Sequence, residues 1–138
     1  MNSRKEDILK FLQKVDKEFR PALSEKTSLE EYADKVCSLA ELVIAEDDRG
    51  VYGLTVIYCN DKTDCRAHIA LVGVVPEYQG KGVARNMMLE AISKAEEKGM
   101  RKIGIHTNNP IALSLYRKLG FEVISGDDRK YLEYIIKL

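Results

Sequence analysis

Cysteine is scarce in this sequence, and the spacing of its three cysteines argues against metal or disulfide chemistry. Cys37, Cys59 and Cys65 include no Cys-x-x-Cys pair and lie near no pair of histidines, so a zinc site is not expected. Cys59 and Cys65 flank a predicted hairpin connection and could approach each other across it. Because the cytosol keeps thiols reduced, the prediction is that they are free thiols.

An excess of one charge and a long apolar run are also missing. The 22 Lys and Arg residues balance the 22 Asp and Glu residues, so no overall field favours nucleic acid or an anionic membrane. No stretch approaches the ~18 apolar residues that a membrane helix needs, and the N-terminal residues contain no apolar signal core. The chain of 138 residues is therefore predicted to be one soluble cytoplasmic domain, residues 1–138.

Proline is rare too, and each of the three prolines marks the predicted start or end of an element. Pro21 follows a first helix that begins with a capping box at Ser3 and runs to about Phe19. Pro76 ends a strand, because proline cannot extend the hydrogen-bond ladder, and Pro110 begins the last helix.

Hydrophobic periodicity predicts the remaining elements. A second capping box, at Ser28, starts a helix that buries Tyr32, Val36 and Leu39. After Glu41 a strand-like period predicts an antiparallel meander, and a later strand, helix, strand succession implies a right-handed parallel crossover. The predicted fold is a mixed sheet of the α/β (α+β) class in the order ααβββαβαββ, with helices over 3–19, 29–39, 82–98 and 110–119 and strands over 42–46, 51–59, 67–75, 102–106, 121–124 and 131–138.

The loop between the third strand and the following helix is suited to binding phosphate. Residues 69–75 are apolar and rich in β-branched side chains, as expected of a strand covered on both faces. Gly80 and Gly82 allow the backbone to approach a ligand, and the first N–H groups of the next helix lack partners within the helix. This combination favours an anionic ligand.

The residue sequence of this loop excludes two common phosphate-binding motifs. A P-loop requires Gly-Lys followed by Ser or Thr, but Lys81 is followed by Gly82. A dinucleotide fingerprint needs a third glycine where Arg85 stands. The remaining pattern, Gln-x-x-Gly-x-Ala at Gln79, Gly82 and Ala84, resembles the pyrophosphate-binding motif of the GNAT superfamily of acetyl-CoA-dependent acetyltransferases.

A second motif supports the resemblance. From Asn109 to Phe121 the sequence is similar to the family segment Asn-x-x-Ala-x-x-Leu-Tyr-x-Lys-x-Gly-Phe at every specified position. The likeness implies a GNAT-like acyl-CoA N-acyltransferase fold in the order given above. The family usually opens with a strand, and the residues before Ser3 are too few for one. The strand at 42–46 would then lie near the sheet edge, an arrangement that suits a homodimer.

The family likeness also implies how the donor, acetyl-CoA, is bound without a metal ion. In the family the strands that correspond to 67–75 and 102–106 separate at their C-terminal ends, and the pantetheine arm lies in the gap. Gln79 stands where many relatives carry arginine, which predicts weaker cofactor binding. The expected cofactor-binding residues are Val74, Val75, Gln79, Gly80, Lys81, Gly82, Val83, Ala84, Arg85, Asn109 and Tyr116.

Two catalytic roles are expected from the same likeness. Tyr116 is implied as the general acid that protonates the departing CoA thiolate, although its spacing on the helix alone would make it a core residue. His68 is the candidate general base, with His106 or a water relay at Glu77 as alternatives. A histidine on a strand is otherwise most often structural.

The predicted function is transfer of an acetyl group to a primary amine by direct attack on the thioester. The acceptor would be a small metabolite, an amino sugar or a peptide N-terminus, and neither nucleic acid nor a membrane is an expected partner. The family places the acceptor over residues 20–26 and 125–130, whose mixed charges select neither an acidic nor a basic substrate. A non-catalytic acyl-CoA-binding regulatory module of the same fold is the alternative.

Overall fold

A computed structural model describes residues 4–19 and 21–136. Within these residues four α-helices and six strands follow the predicted order ααβββαβαββ. The predicted capping box at Ser3 lies outside the described residues. The helices are α1 (Arg4–Val15), α2 (Leu29–Leu39), α3 (Val83–Glu97) and α4 (Pro110–Leu119), and the strands are β1 (Glu41–Asp47), β2 (Gly50–Tyr58), β3 (Arg66–Val74), β4 (Lys102–Thr107), β5 (Glu122–Ser125) and β6 (Lys130–Ile135).

The first helix is shorter than predicted. It ends at Val15, a 3₁₀ turn follows over Asp16–Glu18, and Phe19 is extended, so the prediction of a helix to Phe19 is wrong. The Asp16 carboxylate accepts hydrogen bonds from the N–H and the hydroxyl of Ser24 at 2.8 and 2.5 Å. These bonds offer the chain an alternative to the helix beyond Val15.

The second helix begins as predicted, because the Ser28 hydroxyl accepts a hydrogen bond from the Glu31 N–H at 3.3 Å. Its buried face is Ala33 and Val36. Leu39 is 55% exposed, so its predicted burial is wrong. The helix ends at this residue, before Ala40 turns into the extended conformation that leads to β1.

The strands form one mixed sheet in the order β1-β2-β3-β4-β6-β5. Only the β3–β4 pair is parallel among the described strands, as a crossover through α3 requires. Helices α3 and α4 pack on one face of the sheet, and helices α1 and α2 pack on the other. Each pair of helices forms its own apolar core with the sheet. Strand β1 is at the edge, where Arg4 of α1 donates two hydrogen bonds to the Glu46 carboxylate at 2.9 and 2.5 Å.

Candidate functional site

Strands β3 and β4 separate where the site was expected. Their parallel pairing runs from Arg66–Lys102 to Ile69–Ile105 and stops there, although β3 continues to Val74 and β4 to Thr107. The register of β3 against β2 slips at the same level, since Ile57 pairs with Ile69 but Val56 pairs with Leu71. Such a bulge bends a strand, and here it opens a wedge between β3 and β4.

The bulge also changes which side of β3 is covered. Ile69 belongs to the core under α3 and α4, whereas Leu71 belongs to the core under α1 and α2, and Ala70 between them is exposed. His68 is exposed as well. The prediction that residues 69–75 are covered on both faces is therefore wrong at Ala70, because α1 and α2 cover this face of β3 only from Leu71 onward.

The glycine loop leads from the end of β3 to the start of α3. Gly80 and Gly82 have φ angles of +78° and +83°, in the left-handed region that disfavours other residues. Gly82 precedes the first turn of α3 without a side-chain cap, and a Cβ atom at either glycine would meet nothing within 4 Å. The helix start is thus open to an anion, and the residues present fit the diphosphate of acetyl-CoA.

Two tyrosines and an aspartate anchor this loop. Tyr78 stacks on Tyr52 with ring centroids 4.2 Å apart, and its hydroxyl donates a hydrogen bond to the Asp47 carboxylate. This bond is the main reason that the pKa of Asp47 is lowered and that of Tyr78 is raised. The Lys81 ammonium lies 5.6 Å from the centre of the Tyr78 ring, while Arg85 is exposed on the first turn of α3.

Hydrogen bonds within the chain fix the end of β3 and the residues that follow it, including Val74, Val75 and Gln79. The Gln79 amide donates to the Val74 carbonyl at 3.0 Å and to the Glu18 carboxylate at 3.4 Å. The Val75 N–H donates to the Tyr52 carbonyl, and the Val75 carbonyl accepts from the Tyr78 N–H. Both backbone groups of Val75 are therefore used inside the chain, and Val75 holds the loop in place.

Asn109 and Pro110 start α4 as predicted. The Asn109 side-chain oxygen accepts from the N–H groups of Ile111 and Ala112 at 2.9 and 3.3 Å, and Pro110 occupies the first turn. The capping role of Asn109 is confirmed, and its contact with the cofactor stays a prediction.

Tyr116 lies on the buried side of α4. It is 5% exposed and belongs to the same core as Ile69 and Ile105, the last pair of residues before the wedge. A tyrosine carries its proton at neutral pH, and burial raises the pKa of Tyr116 further, to about 12. The raised pKa makes the hydroxyl a weaker acid than a thiol of pKa ~8.5, so Tyr116 can assist a departing thiolate by a hydrogen bond rather than by full proton transfer.

His68 and His106 lie together on the opposite face of the sheet. Their ring centroids are 5.7 Å apart, and His106 follows immediately after Ile105, where the β3–β4 pairing ends. Although both side chains are exposed, partial loss of solvent around each ring is the largest cause that lowers its pKa, and nearby arginines lower both further. These shifts favour the neutral imidazole, which is the form able to accept a proton.

Three residues beside the histidines were not singled out from the sequence. The Tyr131 ring packs 4.8 Å from His106 and lies across Gly104, where a Cβ atom would stand 2.8 Å from the ring atom Cε1. The Tyr131 hydroxyl donates to the Glu133 carboxylate at 2.8 Å. A glycine in an otherwise apolar strand was the available signal, since it often marks the close approach of another group.

Metal and membrane features are not found in the described part of the chain. Residues 4–19 and 21–136 hold no cluster of three or more His, Cys, Asp or Glu arranged for a metal ion. No helix among them combines the length and apolarity that crossing a membrane would require. The three cysteines are free thiols, as predicted.

Known proteins share this sequence pattern and this fold. The chain is 38% identical over 60 residues to "N-alpha-acetyltransferase RimI" of Mycobacterium tuberculosis, a match that covers 44% of this chain and 37% of that protein. The match thus spans little more than a third of the relative's own length.

Two solved structures superpose over nearly the whole chain. A ribosomal-protein-alanine N-acetyltransferase from Brucella melitensis has a TM-score of 0.79 at 16% identity, covering 99% of this chain and 98% of that one. The PaiA N-acetyltransferase from Thermoplasma acidophilum in complex with coenzyme A has a TM-score of 0.78 at 18% identity, covering 96% and 92%. At these identities the likeness establishes the fold.

The sequence profile described as "Acetyltransferase (GNAT) domain" matches residues 38–123. This match extends from the end of α2 into β5 and includes the wedge, the glycine loop and α4. It covers more than half of the chain, and the superpositions agree with it. The chain therefore belongs to the GNAT acetyltransferase domain family.

Proposed function

We propose that this protein transfers the acetyl group of acetyl-CoA to a primary amine of a small metabolite, an amino sugar or a peptide N-terminus. The observation that carries this proposal is the wedge between β3 and β4, which opens beside the glycine loop at the start of α3. The wedge offers unpaired strand edges to the pantetheine arm, and the helix start offers N–H groups to the diphosphate. The membership in an acetyltransferase family and the CoA-bound structural neighbour support the same donor.

The residues around the wedge suggest how the reaction proceeds. A backbone N–H of β3 beyond Ile69 would stabilise the oxyanion that forms when the amine attacks the thioester carbonyl, a contribution of about 2.7–4 kcal/mol in known cases. His68 would take the proton from the amine, with His106 beside it. Tyr116, which keeps its proton at neutral pH, would donate a hydrogen bond to the departing thiolate and so assist its release.

Two measurements test the proposal in sequence. Acetyl-CoA should raise the melting temperature, since a ligand that binds only the folded state stabilises it. A screen of amines for release of free CoA should then identify acceptors. Stabilisation without turnover on any amine would instead favour a non-catalytic acyl-CoA-binding module, and no stabilisation would contradict both functions.

A further inference from the structure

Half of one sheet face is left open beside the wedge. The core under α1 and α2 includes residues of β1, β2 and the end of β3, but within the described residues it includes none from β4, β5 or β6. His106 of β4 and Tyr131 of β6 pair across the ladder, and their rings pack together on this open side. The open area therefore adjoins the point where the thioester is expected.

The floor of this area is held in place by polar contacts. The Tyr131 ring covers Gly104, and its hydroxyl is bound to Glu133. The Arg66 guanidinium lies 3.8 Å from the same Glu133 carboxylate. The Glu133 carboxylate thus contacts a tyrosine hydroxyl and an arginine of the protein itself.

Arg129 is a cation at the end of the open area. It directly precedes Lys130, which pairs with Thr107 at the end of β4, so Arg129 lies just beyond the ladder that contains the His106–Tyr131 pair. The turn is tight: Gly126 has a φ of +99°, a side chain there would clash with the backbone of Arg129, and the Lys130 ammonium binds the Asp127 carbonyl at 2.5 Å. Along residues 4–19 and 21–136, no carboxylate forms an ion pair with Arg129 within 4.0 Å.

Two arginines act on the neighbouring imidazoles. Arg129 lowers the pKa of both His68 and His106, and Arg66 also lowers that of His68. Because Arg129 has no ion pair among the described residues, it repels a nearby ammonium group that lacks a counter-charge, whereas an amine that carries its own anion supplies a partner for the guanidinium.

We propose that Arg129 binds an anionic group of the acceptor, a carboxylate or a phosphate, and that the acceptor is consequently an amine such as an amino acid rather than an uncompensated cation. This inference rests on the proposed acetyltransferase function. The planar guanidinium of arginine matches the two oxygens of a carboxylate or phosphate, and binding of the anion would bring the nearby amine to the adjacent His68 and His106. Among the charged residues of the segment 125–130, Arg129 is thus a cation that is available to bind the acceptor.

The test compares amines that differ only in the anion. Amino acids are measured against their amides, and aminoethyl phosphate against aminoethanol, by release of free CoA. Because the anion changes the pKa of the amine, kcat/KM is expressed per concentration of neutral amine. We expect the anionic member of at least one pair to be preferred by about tenfold, the value of one hydrogen bond to a charged group.

Variants assign the preference to Arg129. Arg129→Ala should remove the preference through a lower kcat/KM for the anionic acceptor alone, and Arg129→Lys should restore part of it. Arg101→Ala is the matched control, an exposed arginine just before β4 at the opposite end of that strand. Melting temperatures of all variants show whether the fold is retained.

Three results would overturn the inference. Equal turnover within both pairs would do so, as would a preference that survives Arg129→Ala in a folded protein. In either case the proposed acetyltransferase function would still stand. Failure to acetylate any amine, anionic or not, would overturn the inference and the proposed function together.

Discussion

The two ends of α3 provide a controlled test of the cofactor loop. Gly82 before the helix and Gly99 after it have φ angles of +83° and +79°, and a Cβ atom at either position meets nothing within 4 Å. A side chain forced into the left-handed region costs about 1–2 kcal/mol of folding free energy. Gly82→Glu and Gly99→Glu should therefore destabilise the fold to a similar extent.

The helix dipole should give the two variants slightly different folding stabilities. A carboxylate is favoured at the N-terminus and disfavoured at the C-terminus of a helix by about 0.3–1 kcal/mol each. Gly82→Glu should therefore be the more stable of the two. Like charges 4 Å apart repel by about 4 kcal/mol at an effective dielectric constant of 20, equivalent to about a thousandfold in Kd. Because a glutamate can swing away, we expect at least a ~100-fold loss of acetyl-CoA affinity for Gly82→Glu and little change for Gly99→Glu.

Isothermal titration calorimetry with acetyl-CoA and urea unfolding measure the two quantities separately. The more stable variant, Gly82→Glu, should be the one that loses the ligand. If Gly82→Glu is folded and binds acetyl-CoA with unchanged affinity, the diphosphate lies elsewhere. Equal losses in both variants would mean that strain in α3, and not charge at its start, weakens binding.

Three further predictions concern single side chains. Tyr116→Phe should keep stability and acetyl-CoA affinity but lower turnover by at least ~tenfold under conditions where chemistry limits the rate, and unchanged turnover would return Tyr116 to a packing role. In the wild type, kcat/KM should fall on the acid side with a pKa below the ordinary histidine value of about 6.5, because burial lowers the pKa of His68 and the base works only when neutral. His68→Ala should abolish this acid limb. A loss of turnover under about threefold would remove His68 from the mechanism. Thr55→Val should raise the free energy of unfolding by about 1 kcal/mol, since the Thr55 hydroxyl is fully buried with no hydrogen-bond partner among the described residues, and lower stability in urea unfolding would reveal a hidden partner.

Local signals made much of this fold and site predictable. Ser28 and Asn109 start helices through hydrogen bonds with residues two or three positions away, and Pro110 occupies the first turn of its helix, so a short stretch of sequence contains the whole cause. Pro76 and the glycines at 80 and 82 likewise act on their own backbone. The elements and the glycine loop could therefore be located before any tertiary contact was known.

Features that depend on distant partners could not be predicted in this way. The first helix stops early where Asp16 bonds to Ser24, eight residues away. The exposure of Ala70 depends on the register between β2 and β3. Tyr131 reaches Gly104 only because β4 and β6, which are separated along the chain by α4 and β5, become neighbours in the sheet. Periodicity within one segment contains no information about these pairings.

The wedge also has a consequence for cooperativity of the fold. The sheet consists of a meander, β1-β2-β3, and a second group, β4-β6-β5, and the ladder between them is only the short parallel stretch from Arg66–Lys102 to Ile69–Ile105. Regions joined by few backbone hydrogen bonds tend to open as separate units in hydrogen exchange. Amide protons of β2 and of β6 should therefore exchange with different opening free energies in the unliganded protein. A cofactor that bridges the wedge should reduce the difference between these two opening free energies.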